Sequence, residues 1–340
     1  MQTLRFGIVG TGTIAHRFAE AVRNVRGVEL TAVASRTKER GDGFAKEYDI
    51  PHVFVGYETM AQSDAIDAAY IAVPHSGHVT CTCMMLRGGK HVLCEKPMAV
   101  TAAEGEQMFR TAKENGVFLM EAMWARHVPG TLKMLELVRR GTLGDILGVE
   151  GKFCYTMDED EMDHHVFRPE HGGGALLDVG VYGLHFALWY LGRDVIATDV
   201  RSALYRGVDA HTCMLLQYAD GAIADLSAAI LLRKPNEGFV YGSKGYAYLP
   251  RFYAPQRIEL HLHGKDAQTI ETPYAGNGFE EQIAHMRDCV RQGVTESPLV
   301  PAADTLYVLR QMDSIRRKIG VVYPQDTAAS SAPPKNLAAQ

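Results

Sequence analysis

The sequence predicts an α/β protein of two domains, in which a parallel sheet is followed by an α+β domain with an open, mostly antiparallel sheet. Three observations predict this fold class. Strand and helix patterns alternate through residues 1–122, and a glycine-rich turn joins the first strand to the first helix. After Asp145 the apolar segments become longer and alternate with polar residues. Strands separated by helices imply crossovers and a parallel sheet, whereas alternation is typical of antiparallel strands.

In the N-terminal domain, apolar runs predict strands and spacings of three to four residues predict helices. The predicted strands are residues 4–9, 28–34, 69–73, 91–94 and 117–120. The predicted helices between them are residues 14–26, 44–48, 78–87 and 104–115. Each of the first four strands is therefore followed by a helix, as a doubly wound sheet requires.

The pattern changes near residue 122, so we predict domains at 1–122 and 123–325. In the second domain we expect helices at residues 131–140, 174–191, 278–292 and 302–318. The expected strands are residues 146–155, 194–206, 212–218, 222–231 and 257–263. Residues 326–340 are rich in Ala, Ser and Pro, which predicts a disordered tail.

Composition and charge exclude several classes of protein. The 340 residues are 46% hydrophobic and 22% charged, an ordinary globular composition with the length of two domains. A net charge of -5 disfavours nucleic-acid binding through bulk charge. Without a run of about 18 apolar residues we expect no membrane span. Six cysteines without paired CxxC motifs, and an N-terminus unlike a secretory leader, favour a cytoplasmic protein with reduced thiols.

The turn after the first strand carries a dinucleotide-binding pattern. Its residues are Gly10, Thr11, Gly12, Thr13, Ile14 and Ala15, which match G-x-G-x-x-[GA]. Gly10 permits the tight turn, Gly12 permits close approach of a pyrophosphate, and Ala15 keeps helix and strand close. The free N–H groups of the helix favour phosphate there. This context predicts a Rossmann-type domain, and the alternative is a plain glycine turn in another α/β fold.

The end of the second strand predicts the form of the dinucleotide. An NAD-binding protein usually has Asp or Glu here to hold the ribose 2′-hydroxyl. This chain has Ser35, Arg36 and, one turn on, Arg40. A guanidinium pairs well with a 2′-phosphate, so we predict NADP, with NAD as a possible second cofactor. The alternative is that both arginines are solvated surface charges.

Three further stretches carry residues suited to proton transfer. Pro74, His75 and His78 follow the third predicted strand, and Glu95 and Lys96 follow the fourth. The third stretch, after a triglycine, places Asp178 and Tyr182 four residues apart on one helical face.

Hydride transfer to or from a hydroxyl carbon needs a group that moves the hydroxyl proton. A cationic lysine beside a tyrosine lowers the tyrosine pKa, so Lys96 is expected to activate Tyr182. Asp178 would orient Lys96 or bind a substrate hydroxyl. The structural alternatives are an ordinary salt bridge for Lys96 and a packed aromatic ring for Tyr182.

On these motifs the chain resembles the Gfo/Idh/MocA oxidoreductase family over about residues 1–324. The resemblance rests on the GTGTIA loop, on Glu95-Lys96-Pro97 and on the GGGALLDVGVYGLH segment. Many members have histidine where this chain has Tyr182. Tyrosine there, with the MEAMWAR segment at residues 120–126, is similar to a subgroup that contains dihydrodiol and D-xylose dehydrogenases and glucose-fructose oxidoreductase.

The resemblance implies a role for each matching residue. Lys96 and Tyr182 would be the acid/base pair, supported by Asp178. The cofactor would lie against the glycine loop, Ser35, Arg36, Arg40, Pro74, His75, His78, Glu95 and Lys96. Substrate would lie near His78, Trp124, Arg126, Phe153, Asp178 and Tyr182. The implied reaction is hydride transfer between NADP and a sugar, cyclic polyol or vicinal diol. A homodimer or dimer of dimers through the C-terminal sheet is also implied.

The loop at residues 157–165 holds five acids and two histidines. A metal site is conceivable, but clustered acids are more often a solvated turn, so we predict no metal. In the resembled subgroup this loop approaches the pocket, which makes His164, His165 and Arg168 candidate substrate contacts. Two other functions stay open: an NADP(H)-binding sensor without turnover, and a hydride-exchange enzyme that never releases its cofactor.

Overall fold

Six parallel strands form the first sheet of the computed structural model, which describes residues 3–157 and 164–326. They are β1 (Leu4–Val9), β2 (Val28–Ser35), β3 (His52–Val55), β4 (Ala68–Ile71), β5 (His91–Glu95) and β6 (Leu119–Ala122). Their order is β3-β2-β1-β4-β5-β6, and every neighbouring pair is parallel. The order reverses between β1 and β4, which is where such sheets bind ligands outside their carboxyl ends.

Helices join these strands, as the sequence predicts. They are α1 (Thr13–Val22), α2 (Lys38–Tyr48), α3 (Glu58–Ala61), α4 (His78–Arg87) and α5 (Ala102–Asn115). The prediction misses β3 and α3, which are four residues each. β3 is an edge strand with half-exposed side chains, so it lacks the continuous apolar run of a central strand.

The second sheet has eight strands. They are β7 (Ile146–Cys154), β8 (Val195–Tyr205), β9 (Val208–Tyr218), β10 (Ile223–Ala229), β11 (Glu237–Gly242), β12 (Gly245–Pro250), β13 (Arg257–Leu262) and β14 (Gln268–Glu271). Their order is β14-β13-β12-β11-β7-β10-β9-β8. Only the β7–β10 pair is parallel among these strands, which confirms the mostly antiparallel sheet.

The prediction misses three strands of this sheet, β11, β12 and β14. Gly238 interrupts the apolar pattern of β11, where an added Cβ would press on Phe252. The helices of this half are α6 (Pro129–Arg139), α7 (Val181–Leu191), α8 (Glu280–Arg291) and α9 (Ala302–Ile319). α9 returns to the first sheet's layer, where the side chain of Leu309 packs over Gly105 of α5.

One turn of π-helix, Leu176–Gly180, precedes α7. π-turns inside helices are rare and occur mostly at functional sites. The segment Pro169–Leu191 is long and apolar enough to cross a membrane, yet 83% of its most apolar window is buried inside the protein. It is the central helix of the second domain, and it packs on β7, β10 and α9.

A buried carboxylate, Glu121 in β6, connects the two halves of the chain. Its oxygens accept hydrogen bonds from the Met98 N–H at 3.0 Å and the Thr305 hydroxyl at 2.8 Å, and His185 Nε2 lies 3.2 Å away. These partners belong to the turn after β5, to α9 and to α7. Burial alone would raise the pKa of Glu121, but His185 and the hydrogen bonds hold it below its usual value. The carboxylate therefore ties the β5 turn to α7.

Candidate active site

Lys96 and Asp178 form a largely buried ion pair between the turn after β5 and the π-turn that precedes α7. Lys96 follows β5, and its Nζ lies 3.0 Å from Asp178 Oδ1 and 2.6 Å from the Asp178 carbonyl oxygen. The side chains are 14% and 22% exposed. The Tyr155 hydroxyl donates to Asp178 Oδ2 at 2.6 Å. Both carboxylate oxygens thus have donors, so the geometry favours orientation of Lys96 over direct binding of a substrate hydroxyl.

Both members of the pair are charged. Burial would lower the pKa of Lys96, but Asp178 and the neighbouring Tyr182 and Glu95 raise it above its usual value. Burial would raise the pKa of Asp178, yet the charge of Lys96 and the Tyr155 hydrogen bond hold it well below its usual range. The site therefore holds a fixed ammonium group at neutral pH.

Tyr182 lies beside this ammonium. Its ring centroid is 5.3 Å from Lys96 Nζ, and its hydroxyl oxygen accepts a hydrogen bond from Trp124 Nε1 at 2.9 Å. Burial raises the pKa of Tyr182 to about 12, although Lys96 opposes that shift. The prediction of a lowered pKa is therefore wrong, because desolvation of the phenolate outweighs one neighbouring cation. Tyr182 carries its proton at neutral pH.

Aromatic rings form the wall around Tyr182. Phe153 in β7 stacks on Tyr253 with centroids 3.9 Å apart, and both rings lie within 6 Å of the Tyr182 ring. Trp124 meets Tyr253 and Tyr274 edge to face. Trp124 and Phe153 were predicted from sequence, whereas Tyr253, Tyr274 and Tyr155 were not. Tyr253 and Tyr274 lie in loops after β12 and β14 that carry no motif, so only tertiary structure shows their place.

The glycine loop has the shape that a dinucleotide needs. Gly10 has φ +103°, and a Cβ there would lie 2.5 Å from the Ala72 carbonyl oxygen. A Cβ on Gly12 would meet no atom within 4 Å, so open space lies beside the start of α1. Ala15 is fully buried behind the loop. Thr11, Thr13 and Ile14 keep partial exposure, so the backbone of this loop can face a pyrophosphate.

The arginines after β2 lie on the surface beside that loop. Arg36 and Arg40 are exposed, and within residues 3–157 and 164–326 neither forms an ion pair with an acid. Thr37 caps α2 by accepting a hydrogen bond from the Arg40 N–H. Ser35 differs from the expectation, because it is buried and its hydroxyl donates to the Thr37 carbonyl. The two guanidinium groups are therefore the polar groups available to a 2′-phosphate.

The ring nitrogens of the two histidines after β4 lie at hydrogen-bond distance from main-chain carbonyl oxygens. His75 Nδ1 lies 2.9 Å from the Gly172 carbonyl oxygen, and burial lowers its pKa to about 3, so the neutral ring donates this bond. His78 is fully buried, with its ring nitrogens 2.9 Å and 3.0 Å from the carbonyl oxygens of Val73 and Pro97. No ring nitrogen of His78 is left for a substrate, contrary to the expectation. Pro74 follows Val73 and precedes the short helical turn that begins at His75.

Two other expected contacts also lie elsewhere. The Glu95 carboxylate is buried, where it accepts hydrogen bonds from the Tyr70 hydroxyl and the Lys96 N–H, so it faces the protein rather than the cofactor. Arg126 lies over the Trp189 ring at 5.8 Å, two helical turns beyond Tyr182, or about 10 Å along α7. Glu95 and Arg126 therefore contact other residues of the protein, and not the cofactor and substrate that the sequence predicts for them.

The acidic loop is only partly described. Its residues 158–163 lie outside the described residues, so the choice between a metal site and a solvated turn stays a prediction. His165 follows them and lies 6.1 Å from the His75 ring, close enough to Asp178 and Lys96 to sense their charges. The His164 ring lies beside the His165 ring at a tilt of 41°. Arg168 lies 3.8 Å from Glu170 on a more exposed surface. His165 therefore lies against His75 and remains a candidate substrate contact.

Comparison with known proteins adds relatives over the whole chain. Trans-1,2-dihydrobenzene-1,2-diol dehydrogenase of Mus musculus is 34% identical over 340 residues, covering 95% of this chain and 99% of the relative. The enzyme of the same name from Homo sapiens is 31% identical, covering 95% and 99%.

Solved structures agree with these relatives. The aldose-aldose oxidoreductase of Caulobacter crescentus superposes with TM-score 0.85 at 27% identity, covering 93% of this chain and 97% of the other. A 3-ketoreductase from Actinomadura kijaniata, solved with NADP, gives TM-score 0.84 at 27% identity, covering 93% and 98%.

Two family models match consecutive parts of the chain. Residues 4–123 match the oxidoreductase family with an NAD-binding Rossmann fold, and residues 131–248 match the GFO/IDH/MocA C-terminal domain. The protein therefore belongs to the Gfo/Idh/MocA family and is an NAD(P)-dependent oxidoreductase.

Proposed function

We propose that this enzyme is an NADP-dependent dehydrogenase or reductase that acts on a CH–OH group of a sugar, cyclic polyol or vicinal diol. One observation carries the proposal: the charged Lys96, held by Asp178, lies beside the protonated Tyr182 at the carboxyl edge of the parallel sheet. Relatives that are named for a dihydrodiol and neighbours that are named for aldoses support this substrate range. A protein that only sensed NADP(H) would have no use for such a pair.

The chain's own groups provide the proton chemistry. NADP, when bound, supplies the hydride donor or acceptor. Because Trp124 donates to the Tyr182 oxygen, the Tyr182 O–H is left to point at a substrate oxygen. In reduction, Tyr182 or Lys96 gives its proton to the oxygen as hydride reaches the carbonyl carbon. In oxidation Tyr182 must first lose its proton to solvent, and the phenolate then accepts the hydroxyl proton. The Lys96 charge stabilises both this phenolate and the alkoxide that forms.

The aromatic wall supports a ring-shaped substrate. A connected set of ring contacts joins Trp124, Phe153, Tyr182, Tyr253 and Tyr274. Such surfaces pack on the apolar faces of sugars and cyclic diols, while Lys96 and Tyr182 select a hydroxyl or carbonyl oxygen. We assign these aromatic residues to the substrate pocket.

The open face of the second sheet supports a homodimer. Leu215 and Ile223 are 49% and 50% exposed there. The stacked rings of Phe239 and Tyr241, with the tilted ring of Tyr246 beside them, lie on the same face. α7 covers the opposite face. Contiguous exposed apolar side chains of this kind mark protein interfaces, so we propose that two copies pair through this face.

We also infer a cytoplasmic location. The inference is supported by the six cysteines, which are all free thiols, because extracellular proteins usually oxidise theirs. Fractionation of source cells with an antibody to the protein checks it, and recovery outside the cytoplasm contradicts it.

Lys96→Met should remove turnover and spare cofactor binding. We expect kcat to fall roughly 10³-fold, because a positioned acid/base contributes about 10²–10⁴. The Kd for NADPH, measured by fluorescence, should stay within about threefold of wild type. Lys133→Met on α6 is the matched control. Near-wild-type turnover of the Lys96 variant would refute the assignment.

The double variant Arg36→Ala/Arg40→Ala should lose preference for NADP. We expect KM for NADP to rise about tenfold or more while KM for NAD changes less than twofold, since only NADP has a 2′-phosphate. Steady-state kinetics with both cofactors measure this, with the exposed Arg23→Ala as control. An equal loss with both cofactors, or a wild-type KM for NADP no lower than for NAD, would contradict the proposal.

A screen of NADP reduction over trans-dihydrodiols, aldoses and inositols tests the function itself. At least one class should give turnover with kcat near the ordinary range of about 1–10³ per second. Tight NADPH binding without turnover on any of these compounds, or on the matching carbonyl compounds, would favour the sensor.

Sedimentation equilibrium should find twice the 37.4 kDa mass of one chain. Leu215→Lys/Ile223→Lys should shift the population to monomer, because charge replaces apolar contact. Val55→Lys, at a similarly exposed position on β3, is the control. A monomeric wild type at tens of micromolar would overturn the dimer.

A further inference from the structure

A buried carboxylate from the second sheet holds the start of the helix that carries Asp178. Asp209 in β9 is fully buried, and its Oδ2 accepts hydrogen bonds from the Leu176 N–H at 2.8 Å and the Thr212 hydroxyl at 2.7 Å. Leu176 begins the π-turn, two residues before Asp178. Asp209 therefore caps this helix from a distant strand.

The glycine before the helix is shaped to this carboxylate. Gly174 has φ +111°, and a Cβ built on it would collide with Asp209 Oδ1. Oδ1 itself has no hydrogen-bond partner in the part of the chain that the structure describes. The carboxylate therefore occupies the space where any other residue at position 174 would place its side chain.

The triglycine is held at two further points. The Tyr323 hydroxyl donates to the Gly173 carbonyl, and His75 donates to the Gly172 carbonyl. Three side chains, from the turn after β4, from the segment after α9 and from β9, thus hold the backbone of Gly172, Gly173 and Leu176. The next polar side chain along the helix is Asp178.

Asp209 is costly to bury. Burial raises its pKa to about 7, against the hydrogen bonds of Thr212 and the Leu176 N–H and the more distant charge of Arg316. A buried carboxylate without an ion-pair partner reduces folding stability at neutral pH. We therefore expect Asp209 to contribute to the geometry of the site rather than to folding stability. Its negative charge at the start of a helix also interacts favourably with the helix dipole.

We propose that Asp209 is a positioning residue for the reaction: it holds the first turn of the helix in register, and so aims Asp178 and, through it, the Lys96 ammonium. This inference rests on the proposed function, since it assigns Lys96 to proton transfer. Asp209 touches neither Lys96 nor the aromatic wall in the contacts described above, so it acts through the Leu176 backbone.

Steady-state kinetics of Asp209→Ala and Asp209→Asn test the proposal. For Asp209→Ala we expect kcat to fall about 10- to 100-fold, with substrate KM and NADPH Kd within about threefold of wild type. Asparagine keeps an acceptor oxygen, so Asp209→Asn should recover most of kcat. Leu216→Ala, a buried residue of β9 far from the helix start, should lower Tm but keep kcat within twofold. Unchanged kcat in Asp209→Ala would overturn the proposal.

A double-mutant cycle separates positioning from general damage. If Asp209 acts through Asp178, then Asp209→Ala/Asp178→Asn should be no slower than Asp178→Asn alone. Fully multiplicative losses would overturn the proposal. If Asp209→Ala does not fold, Thr212→Val, which removes one bond to Asp209, carries the same cycle with an expected two- to tenfold loss. An active Asp209→Ala beside an inactive Lys96→Met rejects only this inference, whereas an active Lys96→Met rejects the proposed function.

Discussion

The buried ion pair between Lys96 and Asp178 is the interaction on which the rest of the site depends. It joins the turn after β5 in the first sheet to the helix that packs on the second sheet. Removing one partner leaves the other charge largely buried and uncompensated, which destabilises the folded chain. The pair therefore favours one placement of the second sheet and its helices relative to the first sheet. That placement also brings Tyr182 and the aromatic wall to the carboxyl edge of the first sheet, where the glycine loop lies.

Two other buried carboxylates serve the same placement from either side. Glu121 bonds the backbone next to Lys96 and contacts His185 in α7. Asp209 bonds the backbone at the start of that helix. Each carboxylate is buried, where an unpaired charge is unfavourable, and each accepts hydrogen bonds from a fixed set of donors. The resulting site has little freedom to move its ammonium and hydroxyl groups, as preorganised proton transfer requires.

The local parts of this arrangement could be predicted from sequence, because they are short motifs with a mechanism. The glycine loop, Lys96, Asp178 and Tyr182 all have local spacing that reports their chemistry. Tyr155, Tyr253 and Asp209 have none, since each reaches the site through strand pairing or a loop far away in sequence. The protonation of Tyr182 was also out of reach, because the sequence shows a nearby cation but not the depth of burial. The sequence likewise does not show that His78 and Glu95 are buried. Both belong to motifs, yet both form hydrogen bonds inside the protein.

The position of the reacting substrate oxygen tests most directly whether Lys96 and Tyr182 transfer the proton. A crystal structure of the enzyme with NADP and a bound diol or sugar measures its distances to Lys96 Nζ and Tyr182 Oη. We expect the reacting oxygen within hydrogen-bond distance, about 2.6–3.2 Å, of both atoms, with the Lys96–Asp178 pair intact. A productive complex in which that oxygen instead contacts His165 or another group, with Lys96 and Tyr182 out of reach, would contradict the account.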